Sequence, residues 1–274
     1  MTMRTFRVMK TLFKRDFLYS LYSLGYYVAI FASFFVSSFI LKNFLDSIGE
    51  EDILVSAYPL NYPLYITLVI ISLYLVILSG VSISREREQG TLEVLFYGPV
   101  TPGSFLWGKY LKDLCLGMVA LGFTTLYFYL VSVLTNIGFT MGLVKALIMS
   151  IFLISCVVSF GLFISSLTGR IRSSVLALVA ILGAFLAIQF AYNALLGFEK
   201  ESLSVPMLYV RQAMSYVFRG ISWISPFAYL SRGLDSVVLE NPLLYLANIG
   251  YALLYSFIFM FLSVYVMSKK GVKA

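Results

Sequence analysis

Histidine is absent from the 274 residues, and cysteine occurs only twice. Without histidine there can be no Ser-His triad, no His-ligated haem and no H-E-x-x-H zinc site. The two cysteines, Cys115 and Cys156, fall in apolar runs and match no metal-binding spacing, so they read as small buried hydrophobes rather than as a disulfide or ligand pair. Charge is also scarce. Asp, Glu, Lys and Arg make up 12% of the chain, where a soluble domain approaches a quarter. Hydrophobic residues take their place at 60%, which excludes an ordinary soluble domain. The net charge of +7 raises nucleic-acid binding as a possibility that the distribution of charge must decide.

The long apolar runs carry the architecture. Those near 21–41, 62–84, 114–135, 146–168, 173–198 and 243–267 are charge-free or nearly so, and each has the roughly twenty residues that a helix needs to cross a bilayer core. The expected fold is an all-α polytopic membrane protein with six transmembrane helices. Residues 1–20 precede the first span as an amphipathic interfacial helix, with Phe6, Met9, Phe13 and Phe17 on one face and Arg7, Lys10 and Lys14 on another. The run after it is too long for a signal-peptide core and no small-residue cleavage site follows, so it reads as a retained anchor. Residues 21–274 form the six-span domain, with a charged loop at 85–105 and a long outer segment at 199–242.

Six spans put both termini on one side, and Lys and Arg choose which. The N-terminal segment, the loop around Arg85 and Arg87, the Lys109–Lys112 stretch, Arg170 and Arg172, and Lys269, Lys270 and Lys273 hold most of the 20 basic residues. The opposite side carries more acids than bases, among them Asp46, Glu50, Glu51, Asp52, Glu199 and Glu201. Both termini and the 85–105 loop are therefore expected in the cytoplasm, the chain in the plasma membrane, and no nucleic acid is needed to explain the charge. The outer segment carries Pro206, Pro226 and Pro242 but is too apolar for a free loop. It is expected to lie on or dip into the outer leaflet as short broken helices.

The densest charge runs from Ser84 through Glu93, and a short helix is written just inside it. Gly90 breaks the preceding run, Thr91 is placed to cap a helix, and Glu93 lies in its first turn against the positive end of the dipole. Gly98 is expected to close it in a left-handed conformation, with Pro99 preventing continuation. Thr101-Pro102 resembles a second helix start. The short helix presents Leu92, Val94, Leu95, Phe96 and Tyr97 and cannot bury them by itself, so it reads as lying in a partner or on the lipid surface.

Glu86-x-Glu88-x-Gly90-Thr91-Leu92-Glu93, followed by Pro99 and Gly108-Lys109, resembles the signature of ABC-2 type transporter permeases. Ser225-Pro226-Phe227 through Gly233 is similar to the same family's pattern before the last span. The resemblance implies that the loop helix is a coupling helix docking into a separate ABC-type ATPase subunit. Leu92, Leu95 and Phe96 would then supply the docking surface, with Glu86, Glu88 and Glu93 reaching basic groups on the partner. It further implies a second copy or homologous permease subunit, and a re-entrant outer hairpin before the last span. ATP and magnesium would be bound by the partner, with no cofactor in this chain.

Other features were weighed against simpler readings. Gly103 to Lys109 fits the first seven positions of a phosphate-binding P-loop, but Tyr110 stands where Ser or Thr should bind magnesium, and Phe105, Leu106 and Trp107 crowd the backbone. No other nucleotide motif is visible, so the chain is not expected to be an enzyme. Gln189 and Asn193 share one face of the fifth span. They either hydrogen-bond between helices or line a substrate path. The 24 Phe and 20 Tyr fit interfacial belts and packing, with Tyr127-Phe128-Tyr129 as a possible contact for an amphiphile. Besides an ATP-driven exporter, an ATP-independent channel or a membrane scaffold subunit remains open at this point.

Overall fold

Each apolar run holds one long helix. In a computed structural model, residues 3–51, 60–98, 100–135, 138–197 and 205–270 are described. Among them are ten helices: α1 (Met3–Leu21), α2 (Leu24–Glu51), α3 (Asn61–Glu88), α4 (Thr91–Tyr97), α5 (Pro102–Thr135), α6 (Met141–Leu167), α7 (Ile171–Leu196), α8 (Val205–Ile224), α9 (Pro226–Val238) and α10 (Pro242–Lys270). Six of these, α2, α3, α5, α6, α7 and α10, are long and apolar enough to span a membrane. Helix is the economical answer in lipid, because it satisfies every backbone group within the segment.

The spans alternate in direction between an end that carries α4 and a far end that carries α8 and α9. α3 and α6 run the same way and make the most extensive pair, with α6 packing next on α10. Close approach requires small residues here. A Cβ on Gly161 of α6 would meet the Ser79 hydroxyl and come within 2.8 Å of the Val76 carbonyl on α3. Hydroxyls then join the backbones: Ser165 Oγ accepts from the amides of Ile83 and Ser84 at 3.0 and 3.1 Å, and Ser174 of α7 donates to the Gly80 carbonyl. Small residues and hydroxyls of this kind hold helices together where lipid offers no hydrophobic drive.

α6 is the most enclosed span and α7 the least. On α10, Ser256 bonds Ser155 at 2.8 Å, and the Cys156 thiol donates to the Ala252 carbonyl at 3.2 Å. Cys156 is buried and Cys115 half-buried, both free. α2 crosses antiparallel to α3, with Tyr26 donating to the Leu116 carbonyl of α5 at 2.8 Å and Ser37 to the Pro63 carbonyl at 3.3 Å.

The segment before the last span is two helices broken at Ser225. Pro226 starts α9, and the Tyr229 hydroxyl donates to the Trp223 carbonyl at 3.2 Å across the break. Arg232 fastens the corner. Its guanidinium donates to the carbonyls of Ala228 and Ser222 and stacks over the rings of Trp223 and Tyr229 at 4.8 and 4.6 Å. Residues 199–204 of this segment lie outside the described residues, as do Asn136, Ile137 and Lys273.

α5 begins at Pro102, a dozen residues before the expected apolar run. Thr101 and Ser104 cap it reciprocally: Thr101 Oγ1 accepts from the Ser104 amide at 3.2 Å, and Ser104 Oγ accepts from the Thr101 amide at 3.1 Å. The charged residues in its first turns do not interrupt it, because they face neighbours rather than lipid.

Candidate functional site

The residues of the charged loop converge where α3 ends, α4 turns and α5 begins. Gly90 sits between α3 and α4 at φ +69°, a left-handed conformation that side chains resist. Gly90, not Thr91, is the residue that precedes the helix. The Thr91 hydroxyl instead donates back to the Glu86 carbonyl at 3.1 Å and makes no cap to α4. Gly98 is also not left-handed. It lies extended at φ −87° and ψ −175°, with its amide bonded to the Leu95 carbonyl at 3.2 Å. A helix of about two turns followed by an extended residue needs no positive φ to end. Pro99 lies outside the described residues.

With its register set this way, α4 divides into two faces. Leu92 is buried, and Leu95 and Phe96 are half-buried, Phe96 meeting the Phe105 ring edge-on at 6.1 Å. Glu93, Val94 and Tyr97 face outward, with Val94 72% and Tyr97 91% exposed. The three apolar residues expected to form a docking surface are therefore the ones that seat α4 on its own chain. Their burial frees the opposite face.

Glu86 and Glu88 are likewise engaged within the chain. Glu86 contacts the Lys109 ammonium of α5, which also bonds Asp16 of α1 at 2.6 Å. Arg15 of α1 completes the group, 2.8 Å from Asp16 and 3.7 Å from Glu86. Burial opposes charge on Asp16, but Lys109 and Arg15 outweigh it and hold its pKa below the usual carboxylate value. Arg15 is pushed up in turn, chiefly by its hydrogen bond to Asp16. Gly108 lies where α1 crosses, with the Met9 carbonyl 3.5 Å from a Cβ position. The two separated halves of the motif, Glu86 and Gly108-Lys109, thus meet on α1.

Glu88 points the other way. Its Oε2 accepts from the Ile171 amide at 2.7 Å, placing a carboxylate at the positive end of α7. Beside it, Arg87 donates to the Thr168 carbonyl at the end of α6 at 3.1 Å. The last turn of α3 therefore grips α1 and α5 on one flank and the α6–α7 turn on the other, with α4 seated at the same point. Below this cluster, Lys112 and Asp113 form a buried pair at 2.7 Å.

Sequence reasoning missed the Asp16, Arg15 and Lys109 group, and it missed Arg232. The available signals were Gly108-Lys109 in the family signature and charge at the entrance of a span, which reads equally as solvated.

Gln189 and Asn193 are both exposed on α7. Gln189 lines a cavity of about 160 Å³ with Tyr65, Phe185, Phe218, Ser222 and Ser231, whereas Asn193 does not line it.

A family model described as "ABC-2 family transporter protein" matches residues 8–272, nearly the whole chain. The chain belongs to the ABC-2 family. A comparison with curated proteins gave no significant match. The match runs from within α1 through the end of α10 and includes all six apolar spans, so the permease is a multi-pass membrane protein of this family. Among its described residues no group of His, Cys, Asp or Glu is arranged to hold a metal ion.

Proposed function

We propose that this ABC-2 permease is the membrane subunit of an ATP-driven exporter, and that α4 is its coupling helix. The observation that carries the reading is the division of labour on α4. Its inner residues anchor it to the chain, its outer residues are free, and the charged residues beside it connect to four other helices. A push on Val94 and Tyr97 would reach α1 and α5 through Glu86, and α6 and α7 through Arg87 and Glu88. The docking face is then Glu93, Val94 and Tyr97, while Leu92, Leu95 and Phe96 fix its angle. Gly90 supplies the turn, and Thr91 ties it to α3.

The wider arrangement follows the same reading. The α4 end, with its excess of Lys and Arg, faces the cytoplasm of a cell with this permease in its plasma membrane, and α1 lies along the inner interface. The α8–α9 corner forms the re-entrant segment on the outer side. Two permease subunits pair with two ATPases, which bind ATP and magnesium, and α7 is the span with most surface left for the second copy. Gln189, facing its cavity beside α8 and α9, lies on the substrate path. Asn193 lies one turn further along the same exposed face.

A photo-crosslinker at Tyr97 in native membranes tests the reading. An ABC-type ATPase is the expected capture. Tyr97→Ala should weaken that association about tenfold or more, as loss of an aromatic interface anchor does, and lower transport while membrane insertion is unchanged. Capture of lipid alone, under conditions that trap ATP, would instead favour an ATP-independent channel.

A further inference from the structure

A cavity of about 410 Å³ opens between α1, α3 and α5 at the α4 end, and the function proposed above makes no use of it. One part of its wall is charged, formed by Arg85, Glu86, Lys109 and Lys112 with Asp16 of α1. The other is an apolar strip of Tyr74, Ile77, Leu78 and Val81 along α3. From Tyr74 to Arg85 the strip extends roughly 16 Å at the helical rise. A charged end continuous with an apolar groove has the shape of an amphiphile.

The ion pairs specify the sign. Arg15, Lys109 and Lys112 are matched by Asp16, Glu86 and Asp113. Arg85 is the surplus cation. Among the described residues it makes no ion pair, and its guanidinium leans over the Tyr19 ring at 5.9 Å, on the cavity wall. Gln89 and the hydroxyls of Ser20 and Ser82 lie on the same wall. One free guanidinium beside neutral polar groups suits one negative charge, and a guanidinium fork matches phosphate oxygens. A quaternary ammonium headgroup would instead bring a second cation toward Lys112.

The geometry points to a binding site for a single anionic phospholipid, with its phosphodiester at Arg85 and an acyl chain along Tyr74, Ile77 and Val81. Basic pockets between membrane helices select anionic headgroups in this manner. The lipid would bridge α1 to α3, next to the Asp16–Lys109–Glu86 group.

The test uses the full-length chain in mild detergent, with native mass spectrometry during titration of phosphatidylglycerol, phosphatidylcholine of the same acyl chains, or glycerol 3-phosphate. One phosphatidylglycerol should be retained per chain at concentrations where phosphatidylcholine is not. Arg85→Ala should weaken retention about tenfold, Arg85→Lys should fall between it and the native chain because it keeps the charge and loses the fork, and Val81→Trp should block it by filling the groove. Glycerol 3-phosphate should not compete. Equal retention of the two lipids, retention unchanged in both Arg85→Ala and Val81→Trp, or full competition by glycerol 3-phosphate would each overturn the assignment. No ATPase is present in the measurement, so its outcome is separate from that of the coupling reading.

Discussion

Glu88 shows how a residue's type can be legible while its partner is not. The sequence pattern marks it as part of a charged motif, and a carboxylate beside a helix start is expected to favour that helix. The helix it serves, however, is α7, which begins at Ile171, far along the chain. Nothing in local spacing announces that contact. Glu86 and Lys109 behave likewise, meeting only because α5 returns beside α3. Glycines show the same limit. Gly161 and Gly122 look alike in sequence, yet a Cβ at Gly161 would strike Ser79 and the Val76 carbonyl, while one at Gly122 meets nothing within 4 Å. Gly161→Ala should therefore destabilise the permease by about 1–3 kcal/mol, the usual cost of overpacking. Gly122→Ala should be neutral or slightly stabilising, because alanine favours a helix. Thermal unfolding of both variants in the same detergent checks the pair, and a like response from the two would refute the close-approach argument.

At the scale of elements, the spans were the most legible part, because a charge-free run of this length has one stable form in lipid. The start of α5 was legible too, in Thr101-Pro102. What holds its charged first turns was not, because Lys109, Lys112 and Asp113 pair among α1, α3 and α5 and the helix continues through them. The existence of α4 was also readable and its caps were not. Threonine at a helix start can bond forward or backward, and Thr91 bonds backward. The two helices broken at Ser225 before α10 were expected from the prolines and apolar content of that segment. The residue that fixes their corner, Arg232, was not singled out. It uses two nitrogens on two carbonyls, a geometry that one lysine ammonium cannot copy. Arg232→Lys should accordingly cost about 1–2 kcal/mol and speed proteolysis between Trp223 and Tyr229. Cleavage at the wild-type rate would show that the corner holds without the fork.

For the whole molecule, six crossings place α1, α4 and the end of α10 at one face and the α9–α10 turn at the other. Single cysteines replacing Lys14, Lys269 and Leu239, in a chain lacking Cys115 and Cys156, test that arrangement. An impermeant maleimide added to intact cells should label only the Leu239 position, and lysis should expose the other two. Labelling of Lys14 and Leu239 from the same side would require a different number of crossings. The number of spans was legible because hydropathy counts them. Which spans form the centre was not, since every apolar run reads alike. The α3–α6 pairing depends on where small residues and hydroxyls happen to face each other, as Ser79 faces Gly161.

The position of α10 has a consequence for how the protein is made. The most enclosed span, α6, finds part of its cover on the last helix, where Ser155 meets Ser256 and Cys156 meets the Ala252 carbonyl. During translation α6 enters the membrane well before α10 exists, so one flank of it must wait in lipid or against an insertion factor. A ribosome that stalls in the α8–α9 region would leave a chain with most of its spans and an open seam down its middle. Such a product would be a natural target for membrane proteases.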